Sequence, residues 1–383
     1  MPRVLILSSL FAPNIGGVEN SINALAQEFI KLGYEVNIVC SNRNYIDGSE
    51  LPLVDKNDRL NIYRYKYPSR PLGYFYQFTG CFKVLKENDL VSCDIVMARS
   101  AVPAMSAFFA GVSDIKYLVP SIYFFQEQIF KLSSLRKFLS VFFNSIVQLL
   151  ALLVSKNLVF STSMIEQVKK ASLGIKAAYL VSPGVDSERF KPISLATKQK
   201  YRNELGVLSH QKIVLGLGRF SELKQFDHAI ECMRYLDDDV VLFLVGDGPE
   251  RARYEELVKT LNLSGKVKIF PSTKKPELYY QVSDAFVMTS RYESFGQVLL
   301  EATSSGVPIV AYPKSNTTNT SVDFIYKDYP SLIFYSEGNN AKCLANAILD
   351  AIGTFKLKES RIEFQSFLER YSWHNLALDI IRV

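Results

Sequence analysis

The feature that most constrains this chain is an alternation after residue 211, in which short unbroken apolar runs are separated by segments of helical periodicity. The runs are KIVLGLG (212–218), VVLFLVG (240–246), KVKIF (266–270), AFVMTS (285–290) and VPIVAY (307–312). Between them lie LKQFDHAIECMRYL, PERARYEELVKTLNL, KPELYYQVS and SFGQVLLEATSSG. A strand exposed on one face alternates apolar with polar residues, whereas a strand that is apolar throughout is covered on both faces. Such strands alternating with helices predict a parallel sheet. The N-terminal part repeats the pattern: VLILSS (4–9), a helix over 18–33 with Val18, Ile22, Leu25, Phe29 and Ile30 on one face and Gly33 at its stop, then YEVNIVC (34–40). At 383 residues the chain exceeds what one hydrophobic core serves, so two domains are expected. The punctuated stretch SPGVDSERFKP (182–192) is the expected join.

Composition excludes a few classes. The chain has 44 Lys and Arg against 38 Asp and Glu, a net charge of +6, compatible with anionic small ligands or a membrane surface as well as nucleic acid. Cys40, Cys81, Cys93, Cys232 and Cys343 are scattered, odd in number and without a CxxC, against a disulfide framework or zinc site and for a reducing, cytoplasmic compartment. The apolar run in MPRVLILSSLFAP is too short for a signal peptide and is expected to be the first strand. FLSVFFNSIVQLLALLVS (138–155), interrupted by Asn144, Ser145 and Gln148, is expected to be a buried or interfacial helix, not a membrane span.

Open parallel sheets bind ligands beyond the carboxyl ends of their strands, which singles out a small set of residues. After the first strand, Gly16 and Gly17 in APNIGGVEN let backbone approach a ligand at a helix start. After KIVLGLG come Arg219 and Lys224, and after VVLFLVG comes the Asp247–Gly248 turn. After AFVMTS comes RYESFG, with Glu293 before a helix that Phe295 and Gly296 open and that carries Glu301. The amides and positive dipole end of such a helix suit a phosphate, and Gly296 lets a sugar approach the backbone. Gly296 and Glu301 are roughly 8 Å apart along the helix axis, comparable with a diphosphate, so one carboxylate can address a hexose and the other a ribose diol. Taken alone, the spacing is more often that of a carboxylate capping an amide or pairing with Lys.

RYESFGQVLLEATSSGVPIVA resembles the E-x7-E signature of family 4 retaining glycosyltransferases. FAPNIGGVEN, SPGVDSERFKP, GLGRFSELKQFDHAI, LVGDGPER and YSWHNLALDI match in order, so the resemblance covers essentially the whole chain. It implies an α/β GT-B fold of two facing Rossmann-like domains with parallel sheets. Residues 1–183 would form the acceptor-side domain, 184–364 the nucleotide-sugar domain, and 365–383 a helix crossing back to the first, with Trp373 in core packing. By the same resemblance Arg219 and Lys224 bind the donor diphosphate, Glu293, Phe295 and Gly296 the donor sugar, Glu301 the ribose, and Gly16 and Gly17 close over the phosphate. Catalysis would rest on Arg219, Lys224 and Glu293 without a metal or other cofactor, the leaving diphosphate being stabilised electrostatically. The implied partners are a UDP- or GDP-linked sugar and a saccharide or lipid-linked acceptor of surface polysaccharide or glycolipid synthesis, with no nucleic acid.

The chain departs from the family in two places. DIVMARS (94–100) and LVPSIYFFQEQ (118–128) lack the usual histidines, and His210, His228 and His374 are expected to lie outside the N-terminal domain. Arg99 stands at one of the vacated positions, where it would hold an anion or acceptor hydroxyl or else pair with a structural carboxylate. SNTTNTSVDFIYKD replaces a Gly-rich turn leading to a Glu, which leaves the donor open. Asp237–Asp239 precedes a strand instead of ending one and is expected to be a solvated turn, and His228 a helix-face residue. A nicotinamide oxidoreductase is the rival enzyme class, but GGVEN and GLGRFS lack G-x-G-x-x-G and no acid ends YEVNIVCSN. A noncatalytic membrane-associated protein would account for 138–155 but not for the ordered phosphate and sugar motifs. Peripheral membrane contact is expected at RYKYPSRPLGYFYQF (64–78), through Arg64, Lys66 and Arg70 interleaved with Tyr65, Tyr67, Tyr74, Phe75 and Tyr76, and at Lys131, Arg136 and Lys137.

Overall fold

The structure, a computed structural model, describes the chain except for residues 15, 46, 68–72, 127–134, 294 and 316 and the side chains of 126 and 135–137. It divides into two compact units: Met1–Gly184 with Trp373–Val383, and Val185–Ser372. The Arg361–Arg370 helix stays with the second unit, because Phe367 stacks on Tyr326 and meets Tyr371 with ring centroids 4.7 Å apart.

Unit 1 contains strands β1 (Arg3–Leu7), β2 (Glu35–Ser41), β3 (Val54–Asn57), β4 (Leu60–Tyr65), β5 (Ile95–Ala98), β6 (Ile115–Leu118), β7 (Lys156–Val159) and β8 (Ala178–Leu180). Their order is β3-β4-β2-β1-β5-β6-β7-β8, parallel throughout except for the antiparallel β3–β4 pair. Successive side chains of β1 point to opposite faces. Val4 and Ile6 join Ile22, Leu25 and Phe29 of the Gly17–Lys31 helix, while Leu5 and Leu7 join Cys81, Leu85, Ala104 and Leu152 on the other face. The chain returns at its end to close the first of these layers, where Leu376, Ala377 and Ile380 of the Trp373–Arg382 helix are fully buried. Trp373 packs against Gly184, whose Cβ would lie 2.5 Å from the indole.

Unit 2 is a six-stranded parallel sheet of β9 (Lys212–Leu217), β10 (Val240–Val245), β11 (Val267–Phe270), β12 (Ala285–Met288), β13 (Ile309–Ala311) and β14 (Ile333–Tyr335), ordered β11-β10-β9-β12-β13-β14. The order reverses between β9 and β12. The continuous burial of β10 is what its unbroken apolar run requires. All five cysteines are free.

Two sequence expectations need correction. Arg64 does not reach a surface: it is 6% exposed, with its guanidinium donating to the carbonyls of Pro52 (3.0 Å) and Ala12 (3.3 Å), because β4 places it against the loop after β1. Tyr65 is buried beside it, so only Lys66 of the basic residues placed in that stretch is both described and exposed. Arg70 and Lys131, and the side chains of Arg136 and Lys137, lie outside the described residues. Second, His374 belongs to unit 1, since its helix completes that core; it faces Glu28, 3.6 Å away. The apolar helix spans Leu135–Val154; it buries Val141, Ala151 and Leu152 and leaves Phe138, Leu139, Phe142, Phe143, Ile146 and Leu150 exposed. Among the described residues no helix is long and apolar enough to cross a membrane.

Candidate active site

The reversal between β9 and β12 opens a crevice at the carboxyl end of unit 2's sheet, and three connections are laced together around it. The backbone amide of Arg291 donates to the Leu223 carbonyl (2.9 Å), and the Thr289 hydroxyl donates to the Lys224 carbonyl (2.7 Å). On the other side Asn319 N donates to Arg291 O (2.7 Å) and Glu293 N to Asn319 O (3.1 Å). The segments after β9, β12 and β13 therefore sit at fixed spacing, whatever their side chains do.

The β10 connection is locked onto the same edge by glycine. Phe220 N donates to Asp247 O (2.8 Å), and a Cβ on Gly246 would fall 1.9 Å from the Gly218 carbonyl oxygen. Close backbone crossing of this kind admits no other residue at 246.

Within this frame the Lys224 ammonium and the Glu293 carboxylate form a half-buried ion pair, 18% and 20% exposed. Arg219 is exposed and enters no ion pair among the described residues. Gly296 caps the Gln297–Ser304 helix at φ +92°, a left-handed conformation that glycine adopts without strain. Phe295 is buried, its ring centroid 6.3 Å from that of Tyr371.

Glu301 sits inside this helix and receives the Tyr280 hydroxyl at 2.9 Å. Burial pushes its carboxyl up to about 7, against the opposing Tyr280 hydrogen bond and the Arg189 charge. Arg189 itself is paired with Glu277 at 2.7 Å. Tyr280 and Asn319 are the partners that sequence reasoning missed: they meet Glu301 and Glu293 only through tertiary packing, and no spacing signals them.

Unit 1 has its own reversal, between β1 and β5, where the order changes direction. Gly16 is the N-cap of the Gly17–Lys31 helix there. Arg99, the residue after β5, donates its amide to Leu7 O (2.8 Å) and is 7% exposed. It forms no ion pair among the described residues; Nη1 donates to the Leu118 carbonyl (3.0 Å), and Nε is buried without a hydrogen-bond partner. Burial draws its guanidinium down to about 10, with Tyr117 and Glu19 opposing. The carboxylate-paired alternative does not describe this residue.

Two tempting groups stay outside the crevice chemistry. Asp237–Asp239 is exposed ahead of β10. His228 contacts the Tyr312 hydroxyl through Nδ1 at 3.1 Å. No group of three His, Cys, Asp or Glu among the described residues is gathered to hold a metal ion.

Comparison with known proteins now bears on this geometry. Residues 15–189 match the family model described as Glycosyltransferase Family 4, and residues 197–360 match the one described as Glycosyl transferases group 1. The chain has a GT-B fold related to those of glycosyltransferases. Anabaena HepE, solved in complex with UDP-glucose, superimposes on this GT-B chain with a TM-score of 0.76 at 16% identity, covering 99% of this chain and 98% of that one. Alpha-monoglucosyldiacylglycerol synthase of Streptococcus pneumoniae is 23% identical over 91% of this chain and 78% of its own length. Mannosylfructose-phosphate synthase of Agrobacterium fabrum is 34% identical over 148 residues, 35% of this chain and 32% of its own. This GT-B chain thus spans about a third of the length of several curated relatives it matches.

Proposed function

We propose that the chain is a retaining glycosyltransferase that moves a sugar from a nucleotide-diphosphate sugar to a saccharide or lipid-linked acceptor in surface polysaccharide or glycolipid synthesis. The observation that carries the reading is the Lys224–Glu293 pair held at the β9–β12 reversal beside the Gly296 helix start. A cation and a carboxylate stand together where a parallel sheet receives phosphate. HepE's complex with UDP-glucose and the diacylglycerol named in the pneumococcal relative support the donor and acceptor classes.

In this reading Arg219, Lys224 and the amides at Phe295–Gly296 take the diphosphate, Glu293 the sugar hydroxyls, and Glu301 the ribose diol. In unit 1, Gly16 and Gly17 at their helix start are suited to phosphate, and Arg99 is the candidate acceptor contact. The bond from anomeric carbon to diphosphate oxygen breaks with its electron pair on the diphosphate, whose growing charge the cations stabilise. The acceptor oxygen bonds to the same face of that carbon and passes its proton to the departing phosphate. These cations supply the charge that a metal would otherwise supply, so EDTA should leave transfer intact; loss with EDTA and rescue by Mg²⁺ would overturn that part.

The free cysteines fit a cytoplasmic enzyme. Tyr74, Phe75, Tyr76, Phe108 and Phe109, exposed beside the Leu135–Val154 helix, give unit 1 an apolar face for peripheral contact with the inner membrane leaflet. Thermal shift with UDP, GDP and their sugars tests the assignment, followed by NMR of the product's anomeric configuration. A melting temperature that no nucleotide raises would sink it, and an inverted product would remove the retaining mechanism alone.

A further inference from the structure

Unit 1 contains an apolar pocket of about 280 Å³ between the Leu135–Val154 helix, the segment after β6 and the end of the Thr162–Ala171 helix. Ile122, Phe125, Phe142, Leu149 and Leu152 form its walls, and Lys170 is the charged residue of its lining. Its polar lining is already satisfied. Ser145 donates to Val141 O (2.8 Å), and the Gln148 amide accepts from Tyr123 N (2.8 Å) while donating to Ser121 O (2.6 Å). Nothing in the walls asks for a polar ligand.

The mouth has the opposite character. KKASLGIK (169–176) contains Lys169, Lys170 and Lys176, none in an ion pair among the described residues, and no acidic residue. Between them Leu173 and Ile175 are 82% and 67% exposed, with Leu173 at φ +52°. Two large aliphatic side chains so exposed, in one segment with three lysines at the edge of an apolar pocket, match an anionic headgroup above a hydrocarbon chain.

We propose that this pocket and loop bind one anionic phospholipid of a bilayer, its phosphate among Lys169, Lys170 and Lys176 and one acyl chain inside, with Leu173 and Ile175 dipping into the interface. The site supplies an electrostatic element of membrane contact that Arg64, being buried, does not. It deepens and rests on the membrane-contact reading above, but not on transfer activity.

The test uses the full chain without donor or acceptor. Wild type should sediment with phosphatidylcholine vesicles doped with phosphatidylglycerol, less so at high salt. Changing Lys169, Lys170 and Lys176 to Ser should lower the partition coefficient on the order of a hundredfold, about fivefold for each lysine. The pocket is read separately with dihexanoyl phosphatidylglycerol below its micellar concentration, where no bilayer exists. This lipid should raise the melting temperature of wild type, and the rise should vanish in Ala171→Trp, which fills the pocket, and in Lys170→Glu, an exposed position that keeps the core intact. Wild type left in the supernatant would overturn both the inference and the membrane-contact reading. Sedimentation without a short-chain lipid effect, or binding to neutral vesicles regardless of the lysines, would overturn the inference and leave contact through the aromatic face standing.

Discussion

Lys224 and Glu293 neutralise each other at the centre of the crevice, which makes their substitutions unequal. Lys224→Ala removes a charged hydrogen-bond donor from the proposed diphosphate site and strands a half-buried carboxylate. Nucleotide affinity should fall about 10- to 100-fold by calorimetry, the equivalent of roughly 1.5–3 kcal/mol. Glu293→Ala frees the lysine, so UDP or GDP alone should bind at least as well while turnover of the intact nucleotide sugar drops. Equal loss of nucleotide affinity in both variants would contradict the division of labour. Glu301 adds a pH dependence. Its folded carboxyl is raised to about 7 from the usual range near 4.5, so without ligand the protonated form prevails only below about pH 7. A ribose diol needs the ionised form as acceptor, and affinity should therefore climb as pH rises through about 7 and then level off. In Glu301→Gln the profile should be flat. The same shift has the opposite sign for stability: burying the ionised carboxylate costs free energy, so the empty protein should lose stability relative to Glu301→Gln as pH rises from about 4.5 to 7. These residues were legible in the sequence because each lies a fixed few positions beyond an apolar run. The restraints on them were not, since Tyr280, Thr289 and Asn319 are brought in by the fold from separate segments.

At the scale of elements, the strands of unit 2 were legible because burial on both faces leaves an unbroken apolar signature, as in Val240–Val245. The β3–β4 hairpin was not. Val54–Asn57 is a fully exposed edge strand with no apolar alternation, and its presence turns Arg64 inward. Charge and aromaticity along 64–78 suggested a surface, but strand register decides orientation, and a sequence without the hairpin in view does not reveal the register. The glycine crossing is a sharper case of element-level constraint. Gly246→Ala places a methyl group against the Gly218 carbonyl, backbone against backbone, where neither side gives way. Urea denaturation should show a loss of about 1–3 kcal/mol. Gly265→Ala, with nothing within 4 Å of the added carbon, should change stability by no more than about 0.5 kcal/mol. Comparable losses in both would mean that the close crossing does not set the cost, since the lower unfolded-state entropy of alanine acts in the stabilising direction.

Over the whole molecule, unit 2 is an insertion within unit 1: the chain leaves at Gly184 and returns at Trp373, and Val185 N donates to Tyr371 O (2.9 Å) where the outgoing and returning segments run side by side. Deleting residues 373–383 takes Leu376, Ala377 and Ile380 out of unit 1's core while leaving every strand of unit 2 in place. At about 1.5–3 kcal/mol for each large buried aliphatic side chain, the loss is comparable with the stability of a whole domain. Limited proteolysis of the truncated chain should digest unit 1 and spare a fragment near residues 185–372; a unit 1 that resists as in the full chain would refute this. The arrangement also sets a clock on biosynthesis. A ribosome delivers the first 184 residues early, yet their core stays open along one layer until residues 373–383 emerge, so the half made first is the half completed last. Through that interval Val4, Ile6 and Phe29 lack their closing helix, and the nascent chain is exposed to chaperones and proteases for as long as the intervening domain takes to translate.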